Sequence, residues 1–508
     1  MILDFDALPN YPALEVDVCI VGAGAAGITL ALELSRDGHR VLMVESGGEH
    51  HERDVQLLGE TECADELIQR SMQEGRARVF GGTTTLWAGQ VMPLDASDFE
   101  HREWVPAAGW PFDRRMLEPY YRRAERILGL EPISYGEGAW PARSRRPPSF
   151  DPAKLRFRYS RFSPTPDFAR ANRTRLGHAT TLTVLLHATA VSLETTADGS
   201  RIERVELKSL TGKSAFAAAR QYVLCCGAVE TARLLLRSRL GNDLVGRYFQ
   251  EHVHMKVPVR PTSRRSFQAM FNTRRVNGAR YYPKLAASEE LQRRHELLNV
   301  GGDVCYDVDP DSAVESAKLV LRALRRPELR RRVPRAAAKI AVRPQELFGA
   351  AYRHLVLKHK LSEGGSEIFF CIQCESPPNP DNRVTLGSGF DALGMPHASV
   401  HWRISELEQR SIEIFSQTLA DEFRDTGIGE IDMSSVSDYS AGFHHLGTTR
   451  MHDDPSLGAV DRDCRLHGLR NLHVGSGSVF PAGGYSNPTL TIMALCVRLA
   501  DRLKVEIA

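Results

Sequence analysis

The N-terminal region alternates between short apolar runs and a glycine-rich turn. Residues 16–21 and 40–45 are apolar runs that predict β-strands, and residues 28–35 have the apolar spacing of a helix. Gly22-Ala-Gly24-Ala-Ala-Gly27 lies between the first run and the helix. The order strand, turn, helix, strand is the context in which a GxGxxG motif becomes informative.

This glycine motif predicts a dinucleotide site. Gly22 permits a tight turn, Gly24 lets the backbone approach a pyrophosphate, and Gly27 lets the helix pack on the strand. The helix N-terminus offers free N–H groups to the phosphates. Glu45 ends the second strand, where its carboxylate can accept hydrogen bonds from ribose hydroxyls. A glycine-rich turn between core strands would leave Glu45 unexplained, and the pattern fits NAD and FAD equally.

Further β-like runs follow in the first half of the chain. Residues 180–193 predict a strand, Asp198-Gly199 a hairpin turn and residues 202–207 the return strand. Residues 222–226 predict another strand, which ends in a small-residue turn at Gly227 before a helix. Val79-Phe80-Gly81-Gly82-Thr83 offers a backbone surface that can lie flat against a ring or phosphate, or it is an ordinary loop.

The C-terminal region places two polar residues with useful chemistry among glycines and prolines. His444 can accept a proton near neutral pH, and the amide of Asn487 can donate a hydrogen bond to an oxygen that gains negative charge. In an extended segment His444 and His445 point to opposite faces, so only one faces a common site. We favour His444 and expect His445 to be structural. A core helix is predicted from Asn487 to Asp501.

The central region predicts a sheet and a basic insertion. Residues 367–375, 383–386 and 398–402 alternate and predict one antiparallel sheet, with a turn at residues 391–394. Residues 322–343 hold nine Lys/Arg and one acid, and the prolines at 327, 334 and 344 predict short helices. This segment could be a lid, an anionic membrane contact, a docking face for an electron acceptor or a solvated insertion.

Composition narrows the class of protein. A chain of 508 residues predicts more than one domain, and a net charge of +2 argues against a dedicated nucleic-acid binder. No apolar run is long enough for a membrane span, and the N-terminus lacks a signal-peptide pattern. We therefore expect a cytoplasmic protein, with export alongside a partner left open.

The cysteines predict reduced thiols. There are nine of them, an odd number at low density. The one CxxC pair, Cys371 and Cys374, lies in an apolar β-like run without a matching zinc-ligand pair, so we expect buried strand cysteines and no metal site.

Five segments taken together resemble the GMC (glucose–methanol–choline) oxidoreductase family of FAD flavoproteins. In family order they are the glycine motif with Glu45, Gly81-Gly82-Thr83, the Ala190-Val191 strand, Gly227-Ala228-Val229-Glu230 and the C-terminal His…Asn block. Within the family the chain is similar to the bacterial sugar- and glycoside-oxidising branch, which resembles pyranose oxidase. Residues 375–386 and 478–481 support that placement.

The resemblance implies an α/β fold, α+β overall. It pairs a Rossmann-like FAD-binding domain with a substrate domain built on a large, mainly antiparallel sheet covered by helices. Both domains are expected to be discontinuous. The FAD-binding domain would comprise residues 1–100, 181–256 and 436–508, and the substrate domain residues 101–180 and 257–435, with the basic helical insertion at about 312–360.

The resemblance also assigns roles to individual residues. Gly22, Gly24, Gly27 and Glu45 would hold the ADP half of FAD, while Gly81, Gly82 and Thr83 would lie near the flavin and pyrophosphate. The Val191 backbone would meet the adenine, Gly227 belongs to the cofactor-binding set, and Asn487, Pro488 and Thr489 would lie along the pyrimidine edge of the flavin. His444 would be the catalytic base and Asn487 its partner on the substrate oxygen.

Two positions depart from the family pattern. Covalent members carry a flavin-linked histidine where this chain has Leu86, so we expect non-covalent FAD. Many members carry an aspartate where this chain has Ser476. If that carboxylate has a role at the cofactor, another group of this chain must fulfil it.

The expected activity is FAD-dependent oxidation of a ring hydroxyl in a sugar, glycoside or polyol. In this chemistry a base removes the hydroxyl proton and flavin N5 accepts the hydride. A sterol or long-chain alcohol substrate remains an alternative, as does a catalytically idle flavin-binding subunit. The electron acceptor, whether O2, a quinone, a dye or a redox partner, is left open.

Overall fold

The computed structural model describes residues 1–8, 14–131, 134–136, 149–276, 279–307, 309, 311–323, 327–355, 367–435 and 439–508. The strands are β1 Ile2–Asp4, β2 Leu14–Val21, β3 Val41–Val44, β4 Thr61–Cys63, β5 Gln90–Val91, β6 Leu155–Phe162, β7 Leu182–Leu186, β8 Thr189–Thr195, β9 Ile202–Lys208, β10 Ser214–Leu224, β11 Val253–Pro261, β12 Arg274–Val276, β13 Ala279–Ala287, β14 Val300–Tyr306, β15 Ile368–Cys374, β16 Arg383–Phe390, β17 Pro396–His401, β18 Gly429–Ile431, β19 Tyr439–Ala441 and β20 Leu472–Val474. The α-helices are α1 Ala25–Ser35, α2 Arg53–Leu57, α3 Glu66–Glu74, α4 Glu118–Ile127, α5 Phe168–His178, α6 Gly227–Arg237, α7 Arg264–Phe271, α8 Glu289–His295, α9 Ala313–Ala323, α10 Val333–Val342, α11 Pro344–Leu355, α12 Glu406–Asp425 and α13 Thr489–Ile507.

The first sheet has a parallel centre. Its order is β1-β7-β3-β2-β10-β9-β8, with β20 beside β10. The pairs from β1 to β10 and the β10–β20 pair are parallel, and β9 and β8 continue as an antiparallel extension. All four residues of β3 are buried, as expected for a strand covered on both faces. This confirms the predicted strand, turn, helix, strand order at the N-terminus.

Helices α1 and α13 pack on this sheet near the glycine motif that joins β2 to α1. Residues 26–34 of α1 are buried throughout, because α1 packs against α13 and α5 as well as the sheet. Helix α13 runs for 19 residues and buries Leu490, Met493 and Leu499 among others. The predicted C-terminal helix is therefore confirmed, and it extends beyond Asp501.

The predicted strand at residues 180–193 is two strands. His187, between β7 and β8, adopts a left-handed backbone with φ 56°. The chain turns there, so β7 joins the parallel strands while β8 pairs with β9. The hairpin at Asp198-Gly199 is confirmed, since the Gly199 amide donates to the Thr196 carbonyl at 2.8 Å.

The second sheet is antiparallel in all its described pairs. Its order is β18-β11-β15-β14-β13-β6-β5, with β12 beside β13 and β19 beside β11. Helix α12 packs on it, and Phe370 of β15 contacts Phe415 and Phe423 of that helix. The division of the chain into two discontinuous domains stays a prediction.

The predicted single sheet of residues 367–375, 383–386 and 398–402 is wrong. Strand β15 lies in the second sheet between β11 and β14. Strands β16 and β17 form a hairpin, with the predicted turn at residues 391–394, and β17 pairs in parallel with β4 in a separate sheet. The alternation predicted each strand, but it carries no information on the partner strand.

The prediction of nine reduced thiols is wrong for two cysteines. Cys305 of β14 and Cys371 of β15 form a disulfide, with Cα atoms 6.2 Å apart. Asp303 lies opposite Cys371 and Cys305 opposite Phe369, so the two cysteines are diagonal neighbours across the strand pair. The other member of the CxxC pair, Cys374, is buried and free.

The basic insertion forms short helices, as predicted. Pro327 begins a 3₁₀ helix, Pro334 lies in the first turn of α10, and Pro344 begins α11. Residues 324–326 and 356–360 of the predicted insertion lie outside the described residues. Within the described ranges, no helix combines the length and apolar character that a bilayer crossing requires.

Candidate active site

A cavity of about 920 Å³ lies at the carboxyl ends of β2, β3 and β10. The chain leaves these strands at Val21, Val44 and Cys225, and all three line the cavity. The N-terminal residues of α1, α6 and α13 line it as well. The carboxyl edge of parallel strands is where open α/β sheets bind ligands, and helix N-termini favour anionic groups there.

One side of the cavity is a glycine-rich wall: Gly22, Gly24 and Gly82 line the cavity, and Gly27 and Gly81 support them from the same two turns. Gly22 has φ +105°, and a Cβ there would lie 2.8 Å from the Cys225 carbonyl oxygen. A Cβ on Gly27 would overlap the Gly22 carbonyl oxygen. A Cβ on Gly82 would lie 3.0 Å from the Gly24 Cα. These backbones therefore approach each other as only glycine allows.

Glu45 lies at the end of β3 and lines the cavity, with both carboxylate oxygens held by backbone. The Ala23 and Gly47 amides donate to it at 2.9 and 3.0 Å. Burial raises the pKa of this carboxyl, and the two N–H donors oppose that shift. Each oxygen keeps a second lone pair for a ligand hydroxyl.

Most of the predicted cofactor residues line the cavity, and four of them do not. Thr83, Gly227, Ser476, Pro488 and Thr489 line the cavity, as do Gly22, Gly24, Glu45 and Gly82. Gly27, Gly81, Val191 and Asn487 are not among the lining residues, and at the β8 end of the cavity the lining residues are 188–190. The structure thus gathers the predicted set at one cavity, with Ala190 in the place expected for Val191.

The predicted catalytic pair is brought together across the C-terminal segment. Asn487 Nδ2 lies 3.4 Å from His444 Nε2, and His444 lines the cavity. The Oδ1 atom of Asn487 is buried without a hydrogen-bond partner among the described residues. The backbone amide of His444 donates to Glu251 Oε1 at 2.8 Å, which fixes the position of the histidine.

The far side of the His444 ring contacts two residues that the sequence did not single out. His252 Nδ1 lies 2.9 Å from His444 Nδ1, with the rings edge to face at 4.9 Å. Gln373 Nε2 lies 3.2 Å from His444 Nδ1 and 3.0 Å from His252 Nδ1. We call His252, His254, Gln373, His444 and Asn487 the histidine cluster.

Burial is the main influence on the protonation of this cluster. It lowers the pKa of His444 well below the usual range, and the neighbouring His252 and His254 lower it further. Burial likewise lowers the pKa of His252 to about 3 and that of His254 to about 4. All three imidazoles are therefore neutral at physiological pH, and His444 offers a free lone pair.

His445 has different partners from its neighbour. Its Nε2 lies 2.9 Å from Ser71 Oγ and 3.3 Å from Glu251 Oε2, and its ring stacks on Phe249 at 5.9 Å. Burial opposes ionisation of Glu251, but His445 and Ser71 outweigh it and lower the pKa of the carboxyl. His445 lines the cavity as well, so the expectation that only one of the two histidines faces the site is wrong, although the ring of His445 is held in this packed polar contact.

A buried arginine group also borders the cavity and was not anticipated. Arg78 and Arg76 bind the two oxygens of Glu230 at 2.6 and 3.0 Å, and Arg233 joins Glu230 to Asp391. Burial opposes ionisation of Glu230, but the three arginines outweigh it and lower its pKa to about 2. Three cations face two carboxylates, which leaves one positive charge beside the cavity.

Of the histidine cluster, the sequence singled out only His444 and Asn487, and it did not show the arginine group as a pattern. The spacing of His252 and His254, two residues apart, places both on one strand face, and this was the available signal. Gln373 and Arg233 carried no local signal, because they reach the site through strand pairing and helix packing.

The residues present fit a dinucleotide. The glycines of the wall have no side chains, so the phosphates of a dinucleotide can come close to the backbone there. The arginine group has one cation more than it has carboxylates, which favours an anionic ligand. The buried Nε of Arg78 has no partner within the part of the chain that the structure describes. These features match FAD, which carries a pyrophosphate and a flat ring.

Comparison with known proteins identifies the family. GMC oxidoreductase family models match residues 168–254 and 378–496, and an FAD-binding domain model matches residues 15–72. The fructose dehydrogenase large subunit of Gluconobacter japonicus is 23% identical, with 96% of this chain and 98% of the relative covered. Paromamine 6'-oxidase of Streptomyces fradiae is 25% identical, with 95% and 90% covered.

Solved structures show the same fold. Pyridoxine 4-oxidase from Mesorbium loti superposes with a TM-score of 0.54 at 18% identity, covering 96% of this chain and 99% of that one. Formate oxidase from Aspergillus oryzae RIB40 superposes with a TM-score of 0.57 at 16% identity, covering 98% and 99%. The chain belongs to the GMC oxidoreductase family, whose members use FAD to oxidise alcohol groups.

Proposed function

We propose that this protein oxidises a ring hydroxyl of a sugar, glycoside or polyol to a carbonyl, with His444 as the proton acceptor. The observation that carries the proposal is the pairing of His444 Nε2 with Asn487 Nδ2 at 3.4 Å beside a cavity suited to FAD. A base and a hydrogen-bond donor at one point are what removal of a hydroxyl proton requires.

The reaction begins with the substrate hydroxyl between these two side chains. His444 is neutral, so its Nε2 lone pair takes the hydroxyl proton as the C–H bond breaks. The Asn487 amide donates a hydrogen bond to the oxygen, which gains negative charge in the transition state. Bound FAD supplies the acceptor for the hydride.

His252 and Gln373 act as positioning residues for His444. Two Nδ1 atoms 2.9 Å apart repel unless one of them carries a proton. A proton on His444 Nδ1, donated to His252 Nδ1, leaves the lone pair of His444 on Nε2, where Asn487 and the cavity are. Asn487 Nδ2, an N–H donor 3.4 Å from Nε2, favours this tautomer, which is the one that a base needs.

The cofactor is held non-covalently in this proposal. Gly22, Gly24 and Glu45 would bind the ADP half, and Gly82, Thr83 and Thr489 would lie along the rest. Leu86 lines the cavity and offers no nucleophilic atom for a covalent link. The N-terminus of α13 contributes positive potential to the same cavity.

The carbohydrate part of the proposal is supported by relatives that span nearly the whole chain. Fructose dehydrogenase, paromamine 6'-oxidase and 6'''-hydroxyparomomycin C oxidase of Streptomyces lividus are named for sugar or aminoglycoside substrates. Similarity also extends to 2-methyl-1,2-propanediol dehydrogenase of Mycolicibacterium austroafricanum, 23% identical over 96% of this chain. The substrate therefore has to be fixed by experiment.

Anaerobic bleaching of the bound flavin tests the proposal. We expect sugars, glycosides or polyols to reduce the flavin, and sterols and long-chain alcohols to leave it oxidised. Bleaching by lipophilic alcohols alone would support the sterol alternative, and no bleaching by any alcohol would support an idle subunit. Reoxidation of the reduced protein with O2, compared with a quinone or dye, then identifies the electron acceptor.

A further inference from the structure

We propose that the basic insertion is a docking surface for an anionic lipid membrane. The docking surface consists of the C-terminal turn of α9, the 3₁₀ helix Pro327–Arg332, α10 and α11. Helix α9 packs against α10 and α11, which joins these short helices into one unit. This surface has no part in the reaction proposed above.

Large apolar side chains project from these helices into solvent. Val342 and Phe348 are each 77% exposed and Tyr352 is 57% exposed. Phe348 and Tyr352 are four residues apart, so they share one face of α11. Val342 lies two residues before α11 begins, and Leu321 is exposed in the last turn of α9. Isolated exposed apolar residues are common, but such a group on one small unit marks a contact surface.

Positive charge surrounds these apolar residues without compensation. Among the side chains that the structure describes here, Glu315 pairs with Lys318, Asp311 with Lys339, and Asp309 and Glu346 with Arg343. The exposed arginines with no ion pair in the described ranges are Arg322, Arg330, Arg331, Arg332 and Arg335. The partner must therefore carry negative charge.

The two kinds of side chain are arranged along the same helix. Arg335, Ala338 and Val342 are exposed at spacings of three and four residues, so one stripe of α10 passes from a cationic end to an apolar end. On a membrane, the arginine side chains of such a surface can contact lipid headgroups. The neighbouring apolar side chains can insert at the boundary between the headgroups and the acyl chains.

A fluid lipid surface fits these features better than an acidic protein does. No described contact holds the five arginine heads in place, and lipid headgroups can move to meet unfixed charges. The prolines keep the helices short, so they can lie in the interface but cannot cross a bilayer. An acidic protein partner would need carboxylates at fixed positions to meet the same charges.

Vesicle sedimentation with the full-length FAD-loaded protein tests the proposal. We expect binding to phosphatidylcholine vesicles that contain phosphatidylserine and no binding to phosphatidylcholine alone. Raising the ionic strength from about 0.1 M to about 1 M shortens the Debye length from about 10 Å to about 3 Å and should release the protein. Protein that stays in the supernatant with both vesicles would overturn the proposal and favour a protein partner.

Two sets of substitutions separate the charges from the apolar residues. The triple substitution Arg330→Ser, Arg331→Ser and Arg332→Ser should weaken partitioning roughly a hundredfold. Phe348→Ser with Tyr352→Ser should weaken it roughly tenfold. The matched control is Phe390→Ser with Val505→Ser, which removes equally exposed apolar side chains elsewhere and should leave binding unchanged.

Activity and fold are measured on the same variants. Since none of these residues lines the cavity, flavin absorbance, circular dichroism and alcohol oxidation should match those of the parent. Unchanged partitioning of the arginine variant, or equal weakening by the control pair, contradicts the proposal. Failure of the proposed sugar oxidation leaves this test unaffected, because its readout is vesicle binding.

Discussion

The glycine-rich wall and the histidine cluster border the same cavity, yet they are assembled in different ways. The wall uses backbone atoms from two short segments, residues 22–27 and 81–82, whose turns are set by their own glycines. The cluster uses side chains from residues 252, 373, 444 and 487, which meet through the pairing of β11 with β15 and through two loops of the C-terminal region. A binding surface made of local backbone can thus be recognised from sequence, whereas the environment that tunes a base depends on the tertiary fold.

The largest expected effect comes from removing the base. His444→Ala should slow anaerobic flavin reduction by about 10²–10⁴-fold while FAD stays bound, because general-base catalysis contributes that much. Stopped-flow reduction at saturating alcohol measures it. The comparison variant is His445→Gln, which should retain most of the rate because His445 faces Ser71 and Glu251. A larger loss in His445→Gln than in His444→Ala would reverse the assignment.

The glycine-rich wall is tested by adding one methyl group. Gly27→Ala places a Cβ onto the Gly22 carbonyl oxygen, so the turn must open and the bound FAD should fall at least about tenfold. The flavin-to-protein absorbance ratio after gel filtration measures it. Gly177→Ala is the matched control, since a Cβ at that helical position meets no atom within 4 Å. Full FAD content in Gly27→Ala would show that the turn tolerates a side chain.

The next effect is smaller and probes the positioning of the base. His252→Leu removes the acceptor beside His444 Nδ1 and should lower the rate of flavin reduction roughly ten- to a hundredfold. His252→Asn keeps an acceptor at a similar place and should restore much of the rate. The pH profile of kcat/KM should shift in the leucine variant only.

A purely structural role of His252 would give another pattern. Both substitutions would then lower thermal stability and activity together, with no change in the pH profile. Equal rates for the leucine and asparagine variants would remove His252 from the positioning role and leave Gln373 as the remaining contact of His444 Nδ1.

The sequence predicted the features that depend on neighbouring residues and missed those that depend on residues far apart in the chain. The strands in residues 16–45, 180–226 and 367–402, the glycine turns, Glu45 and the prolines of the short helices are local signals, and these were predicted. Strand partners are not local: β15 was grouped with β16 and β17, which lie in a separate sheet, and the Cys305–Cys371 disulfide was missed because it joins diagonal neighbours on two strands. The proximity of His444 and Asn487 was expected from the family resemblance, whereas His252 and Gln373 required the sheet register.

The smallest expected effect concerns the pH dependence of alcohol oxidation. An ordinary histidine base would lose activity as the pH falls through its usual pKa, and His444 should not. Burial lowers the pKa of His444, so the base stays deprotonated as the pH falls through 6.5, the usual histidine pKa being about 6.5. We expect kcat/KM for alcohol oxidation to stay level as the pH falls from 8 through about 6.5, and to decline only below that pH. A half-loss near pH 6.5 would mean that the ring is solvated in the working enzyme.

Stability must be followed over the same pH range, because the buried histidines affect it in a known direction. Their pKa values are lower in the folded protein than in the unfolded chain, with His252 and His473 at about 3 and His254 at about 4. The unfolded chain therefore binds more protons below pH 6.5, and the free energy of unfolding should decrease as the pH falls from about 6.5 toward about 4. Thermal unfolding at each pH separates this loss from protonation of His444. Activity that falls in step with melting temperature reports unfolding, whereas activity that falls while the protein is still folded reports titration of the base.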